Sequence, residues 1–392
     1  MIHMKEFRKC PYKRCYIKTI ICILLLLLTF LLNAKEAKAA SGGIGSENID
    51  YSDIQDVIDD MMAYGNEFDF GAYVEGLMNG EKRFSITDIG LQLIQSIKGE
   101  IKANIGTFGR LISIALIAAL FTNISMAFKN SQVSETGYYV TYLLLFGLLV
   151  STFVTASKIA AAAIESILEF MKVLVPAYFI SVGLSSGTTT SMVYYEAALM
   201  LISLVDYMII KIIIPLINFY LIISLSNNLS KEDMLSKLAG LFASIINWLL
   251  KSLLTAVVGF GAIQGLIVPA SDRVKRSAFL KASEAIPGIG NTIGGVTETI
   301  LGAGILLKNA IGVAGLVVII ILCAAPFLKL LMITVVYKAG SAILQPISDK
   351  RIIECISASA KSSEMLLQSV FVGAVLFLLS ITIVAVTTGS AG

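Results

Sequence analysis

From about residue 105 onward the sequence is a near-continuous series of apolar stretches, each long enough to cross a bilayer. A hydrocarbon core about 30 Å thick takes about 20 apolar residues per helix, and only a backbone that satisfies its own hydrogen bonds can enter it. The chain is 56% hydrophobic and 15% charged over 392 residues, more apolar surface than an ordinary soluble domain can bury. The expected fold class is an all-α polytopic membrane protein with about eight transmembrane helices.

Residues 1–40 have the three parts of a secretory signal peptide. A basic region with Lys5, Arg8, Lys9, Lys13, Arg14 and Lys18 precedes the apolar run Ile20–Leu32, and Ala37-Lys38-Ala39-Ala40 offers small residues for cleavage near Ala39 or Ala40. An uncleaved signal anchor is the alternative, and under either reading residue 41 starts outside the cytoplasm. Cys10, Cys15 and Cys22 lie in this leader, so only Cys323 and Cys355 remain and no disulfide framework is expected.

Residues 41–104 form the one sizeable polar region. Nine acids from Glu47 to Glu75 meet no Lys or Arg before Gly80. Ile54, Val57, Ile58, Met61 and Met62 fall on one side of a helix, and a second helix is expected from Ser85, with Asp88 as its capping acid. This is read as a small helical extracytoplasmic segment, either solvated or docking a partner.

The spans are expected at Ile105–Phe128, Tyr138–Ser157, Met192–Ile210, Ile212–Ser226, Phe242–Val268, Gly302–Ile320, Leu322–Tyr337 and Met365–Val386. Crossing from the outside, this order puts Lys129, the run Arg273, Lys275, Arg276, Lys281 and the pair Lys350-Arg351 inside, as basic loops prefer. Between the second and third spans, Lys158, Glu165, Glu169 and Lys172 oppose Ile159, Ala163, Ile167 and Met171, which predicts a helix lying in the interface plane. A first membrane section, 105–172, thus holds two spans and an interfacial helix.

Two further sections, 173–281 and 282–392, read as one unit written twice. Pro176 and Pro287, each opening a small polar run, are 111 residues apart, and so are Pro215 and Pro326, each inside a span. With three crossings per unit the copies have opposite orientation, an inverted-topology repeat of the kind that meets around a polar path. Pro176, Gly183, Gly187, Pro215, Pro287, Gly290, Gly294 and Pro326 are therefore the candidate conduit or helix-break positions. The alternative is that the prolines kink packed helices and the glycines permit close contact.

Glu196, Asp206 and Lys211 are the candidate intramembrane polar residues, with Asp206 and Lys211 able to compensate each other near a helix end. Catalytic chemistry is not expected. The sole histidine, His3, is in the leader, and no G-x-x-x-x-G-K-[ST] run occurs, so neither a metal site, a cofactor site nor nucleotide hydrolysis is indicated. No basic-aromatic patch suggests nucleic acid.

The strings Val173-Leu-Val-Pro176, Leu307-Lys-Asn-Ala-Ile-Gly312, Ala325-Pro-Phe-Leu-Lys-Leu330 and Gln345-Pro-Ile-Ser-Asp349, behind a leader and an acidic outer segment, resemble the stage III sporulation protein AE family of endospore-forming bacteria. The resemblance implies a permease-like subunit in the mother-cell membrane around the forespore, within a channel complex needed for late forespore gene expression. It further implies a cytosolic ATPase partner, other membrane subunits and ring-forming proteins between the membranes. It supplies no catalytic residues. A stand-alone ion-coupled transporter and a non-conducting scaffold are the competing readings; paired carboxylates repeated at the offset would favour the former, but Glu196 maps to Leu307 and Asp206 to Val317.

Overall fold

Helix is the backbone solution open to apolar segments of this length. The computed structural model is helical through almost all of the residues it describes, namely 50–61, 69–79, scattered positions from 102 to 117, 131–186, 199–229, 234–284, 290–346 and 348–389. The leader, the helix expected at Ser85 and most of Ile105–Phe128 lie outside that set.

Two short helices come first, α1 (Ser52–Met61) and α2 (Phe70–Met78). Carboxylates start both: Asp50 accepts from the Ser52 N–H at 2.9 Å, and Asp69 accepts from the Ala72 N–H at 2.8 Å. Gln55 ties them together, accepting from the Phe70 N–H at 2.9 Å while donating to Asp59 at 2.8 Å. Of the apolar stripe expected on α1, Ile54 and Ile58 are fully buried with Phe70 and Val74 of α2, and Val57 is half-buried. The stripe is covered from within, because α1 packs on the long helix α3 and α2 on α6, both defined next. Burial with no other groups to offset it pushes the Tyr51 phenol up to about 12.

Five helices follow: α3 (Ser131–Ser186), α4 (Leu199–Leu229), α5 (Ser236–Glu284), α6 (Gly290–Leu344) and α7 (Lys350–Gly389). Each contains a stretch long and apolar enough to cross a membrane. Beyond residue 130 seven spans are expected from the sequence. Tyr138–Ser157 and the expected interfacial helix 158–172 are one continuous α3; Ile212–Ser226 and the described part of Met192–Ile210 join in α4; Gly302–Ile320 and Leu322–Tyr337 join in α6. The reason is that single charges such as Lys158 and Lys211 do not end a helix, and a helix is free to run well past the bilayer. At 1.5 Å per residue, the 43 residues of Tyr139–Ser181 cover about 64 Å.

The innermost helix is α7, which packs on α3, α4, α5 and α6. Its packed face is built from small residues: Ser359, Ser362, Ser363 and Ser369 are fully buried. Three of these hydroxyls turn back onto their own helix, Ser359 to the Cys355 carbonyl at 3.1 Å, Ser362 to Ala358 at 2.9 Å and Ser369 to Met365 at 2.9 Å. Hydroxyls satisfied in this way let neighbouring backbones approach without an orphaned polar group. At Gly373 an added Cβ would meet the Ile164 side chain of α3 at 3.8 Å and that of Ile209 in α4 at 3.9 Å, ordinary contact. Gly373→Ala is therefore expected to be neutral in a detergent melt. Gly373→Val, with two more carbons in the same gap, should lose about 1–3 kcal/mol.

Cross-contacts fix the helix directions. The Tyr142 hydroxyl of α3 donates to the Leu225 carbonyl of α4 and accepts from the Cys355 thiol of α7, the latter at 3.1 Å. Further along, Ser157 donates to Asn218 at 3.1 Å, and Ile164 and Ile209 meet at Gly373. So α3 runs antiparallel to α4 and parallel to α7. The Lys338–Glu364 pair at 2.8 Å, following a short turn, makes α6 antiparallel to α7 as well. Asn227 accepts from the Leu235 N–H at 2.7 Å, so α5 leaves from the end at which α4 arrives.

Two expectations are corrected by these directions. Shifting α4 by 111 residues lands on 310–340, within α6, and shifting Ser236–Phe260 lands on 347–371, almost wholly within α7. The helices so paired run the same way, which does not fit an inverted relation between the two sections: among the described residues each section holds two candidate spans of its own, not three, and an even number returns the chain to its starting side. Secondly, Arg273–Lys281 and Lys350-Arg351 are separated by one span, Leu306–Leu344, where two were expected, so a single side of the membrane cannot hold both. The Gln345–Asp349 string is the α6–α7 turn, with Asp349 capping α7 through the Arg351 N–H at 2.8 Å.

Candidate functional site

On α3 the residues Glu165, Glu169 and Lys172 follow one another at helical spacing and share a face. On α4 the same spacing aligns Ser203, Asp206, Tyr207 and Ile210, with Lys211 beside them. Antiparallel packing of the two helices opposes these faces across an open cleft of about 380 Å³.

Its depth follows from the layer in which Ile164, Ile209 and Gly373 meet, because Glu165 and Lys211 lie one and two residues from it. The central helix carries no charged residue from Met365 to Gly389, so this layer falls in its apolar zone. Charge at such depth costs roughly 2.5–3.5 kcal/mol per residue on insertion scales. Glu165, Glu169, Lys172 and Lys211 are nevertheless exposed, and none belongs to an ion pair among the described residues. Asp206 differs. It is 8% exposed, faces Glu165 and Lys172 electrostatically, and its Oδ1 is buried without a hydrogen-bond partner among the described residues.

The cleft also contains an irregularity of the backbone. Residues Ile209–Ile213 form a π turn, closed by the Ile214 N–H on the Ile209 carbonyl five residues back. Pro215 explains it: proline has no N–H and clashes with the carbonyl four residues before it, so one wide turn is inserted ahead of its ring. Inserted turns of this type recur at functional sites.

Of the candidate polar residues, Asp206 and Lys211 are brought to the same cleft but form no ion pair there, and Glu196 lies outside the described residues. Of the conduit candidates among the described residues, only Pro215 lies beside a break in regular helix. Pro176 and Pro326 sit inside continuous α3 and α6, and Gly183 is still helical. Of the two readings for Pro176, a broken segment or a proline within a packed helix, the continuous helix to Ser186 fits the second, because neighbouring helices hold it through the loss of one hydrogen bond. Gly290 and Gly294 belong to the beginning of α6, while Gly187 and Pro287 lie outside the described residues. The periodicity of Glu165, Glu169 and Lys172 predicts the polar side of an interfacial helix, and the structure turns that side to the cleft, because an amphipathic pattern is the same whether its polar face meets headgroups or a cleft. Among the described residues no group of His, Cys, Asp and Glu could hold a metal ion.

The family model described as "Stage III sporulation protein AE" matches residues 68–388 of this chain. A curated relative, "Stage III sporulation protein AE" of Bacillus subtilis (strain 168), is 28% identical over 336 residues, which cover 85% of this chain and 84% of the relative. No solved structure matches.

Proposed function

Because the chain belongs to the stage III sporulation protein AE family, we propose that it is a permease-like membrane subunit of a channel complex joining mother cell and forespore, needed for late forespore gene expression and spore formation. Its place would be the mother-cell membrane around the forespore, beside a cytosolic ATPase, other membrane subunits and ring-forming proteins. The carrying observation is the pairing of a family match across most of the chain with a bundle of long apolar helices that holds a charged cleft. A chain with no nucleotide-binding motif needs its energy from outside, and an ATPase partner supplies that need. The acidic faces of α1 and α2 would meet partners in the space between the membranes.

Ion-coupled transport is the second reading, favoured by the buried Asp206 carboxylate, whose Oδ1 has no hydrogen-bond partner among the described residues. One experiment separates them. Deletion should silence a late forespore reporter while engulfment completes, and the tagged chain should co-purify the ATPase from sporulating cells. A reporter that stays active in the deletion strain, or a chain isolated free of the ATPase, would refute the channel-subunit reading.

A further inference from the structure

Although α7 is the innermost helix, one side of it is open and polar. Lys350, Glu354, Ser357, Lys361, Glu364 and Gln368 recur at alternating steps of four and three, so they form a single stripe. The first four are exposed and the last two partly so. At 1.5 Å per residue the stripe runs about 27 Å along the helix from the α6–α7 turn. We propose that it lines a water-filled inlet, which enters the bundle at that turn and ends at Phe371, the next position on the same face.

Contacts to the neighbouring helices give the stripe its depth. The Cys355 thiol meets Tyr142 of α3, the Lys361 ammonium lies 5.5 Å from the centre of the Tyr220 ring of α4, and Glu364 pairs with Lys338 of α6 at 2.8 Å. Beside these contacts the same three helices present large apolar side chains outward. They are Leu143 and Leu144 on α3, Phe219 and Ile222 on α4, and Val335 and Ile343 on α6, each 46–61% exposed. Such a belt on three helices at one level marks hydrocarbon. Lipid does not solvate charge, so the stripe at this level faces water or a partner.

The charges themselves favour water. They are already matched within the chain: Lys350 with Glu354 at 3.6 Å, Lys338 with Glu364, and Lys361 with the Tyr220 ring. A partner protein would therefore find no charge to neutralise. It would also find no apolar anchor, since the stripe carries neither an aromatic nor a branched aliphatic side chain before Phe371. The paired side chains nevertheless stay open, those of Lys338 and Glu364 being 49% and 36% exposed. The inlet deepens the permease reading and rests on that reading for what passes through it, whereas its wetness rests on the geometry alone.

The test is thiol accessibility of the full chain in native membranes opened as fragments, so that a charged methanethiosulfonate reaches both faces. Ser357→Cys and Gln368→Cys should react, above the background of the unsubstituted chain, about tenfold faster or more than Leu144→Cys and Ile222→Cys of the apolar belt, because a thiol in apolar surroundings stays protonated. Ser357→Trp should close the inlet and return Gln368→Cys to background. Three results overturn the proposal: Leu144→Cys reacting as fast as Ser357→Cys, which puts this level outside the bilayer; Ser357→Cys reacting only with an uncharged, lipid-soluble maleimide, which turns the stripe to lipid; or Ser357→Cys reacting with neither reagent, which covers it with protein. Spore counts of the Ser357→Trp strain judge the permease reading separately. A closed inlet with unchanged counts would refute passage through it and leave the water-filled stripe standing.

Discussion

Asp206→Leu is expected to leave the solubilised chain as stable as the parent or more so, by up to about 4 kcal/mol, while heat-resistant spores are lost from a deletion strain that depends on it. The argument rests on an asymmetry. A buried carboxylate with an unpartnered oxygen carries its desolvation cost without a compensating bond, and leucine, of similar size, removes that cost. Natural chains keep such a group where activity needs it. Asp206→Asn keeps the shape and the polarity but not the charge, so its spore count shows whether the charge is what matters. Melting curves in detergent and spore counts after heating decide the outcome. A variant that melts lower yet still sporulates would make Asp206 a structural residue and remove the cleft from the functional reading.

The second large effect is expected at Ser363, also on a membrane helix but inside the packing. Its side chain is fully buried in α7 and its hydroxyl, unlike those of Ser359, Ser362 and Ser369, has no partner among the described residues. Ser363→Ala removes an orphaned group and is expected to be neutral or mildly stabilising. Ser363→Leu adds a branched side chain at the interface of the helix that holds the bundle together, and should cost about 1–3 kcal/mol. Because four helices lean on α7, that cost should appear as cooperative loss of the bundle, read as protease cleavage across α3 to α6 at a lower temperature. A leucine variant with unchanged protease resistance would show that α7 is not the packing centre.

The residues themselves announce a great deal of this. The helical class follows from apolar runs that a hydrocarbon solvent permits only as helix. The α1 stripe of Ile54 and Ile58 and the polar side of α3 were legible as periodicities, and Asp206 and Lys211 stood out as charges in apolar surroundings. What could not be read was where one helix stops and the next begins. Helices longer than the bilayer defeat a rule that counts about 20 residues per span, so α3, α4 and α6 were each divided. Pro176 and Pro326 do not disclose whether they break or merely bend a helix; among the described residues Pro215 alone sits beside a π turn.

Sequence by itself determined that this chain lives in a membrane, carries no nucleotide motif and belongs with sporulation proteins, since composition, motif absence and family strings are properties of residue order alone. Only the tertiary structure decided that α7 lies at the centre, that the offset helices run in one direction, and that Glu165, Glu169 and Lys172 face Asp206 across a cleft. Those are statements about which faces oppose each other. A helical face advertises its polarity but not its neighbour, because the same pattern suits lipid headgroups, water or another helix, and only the packing of all five helices selects among them.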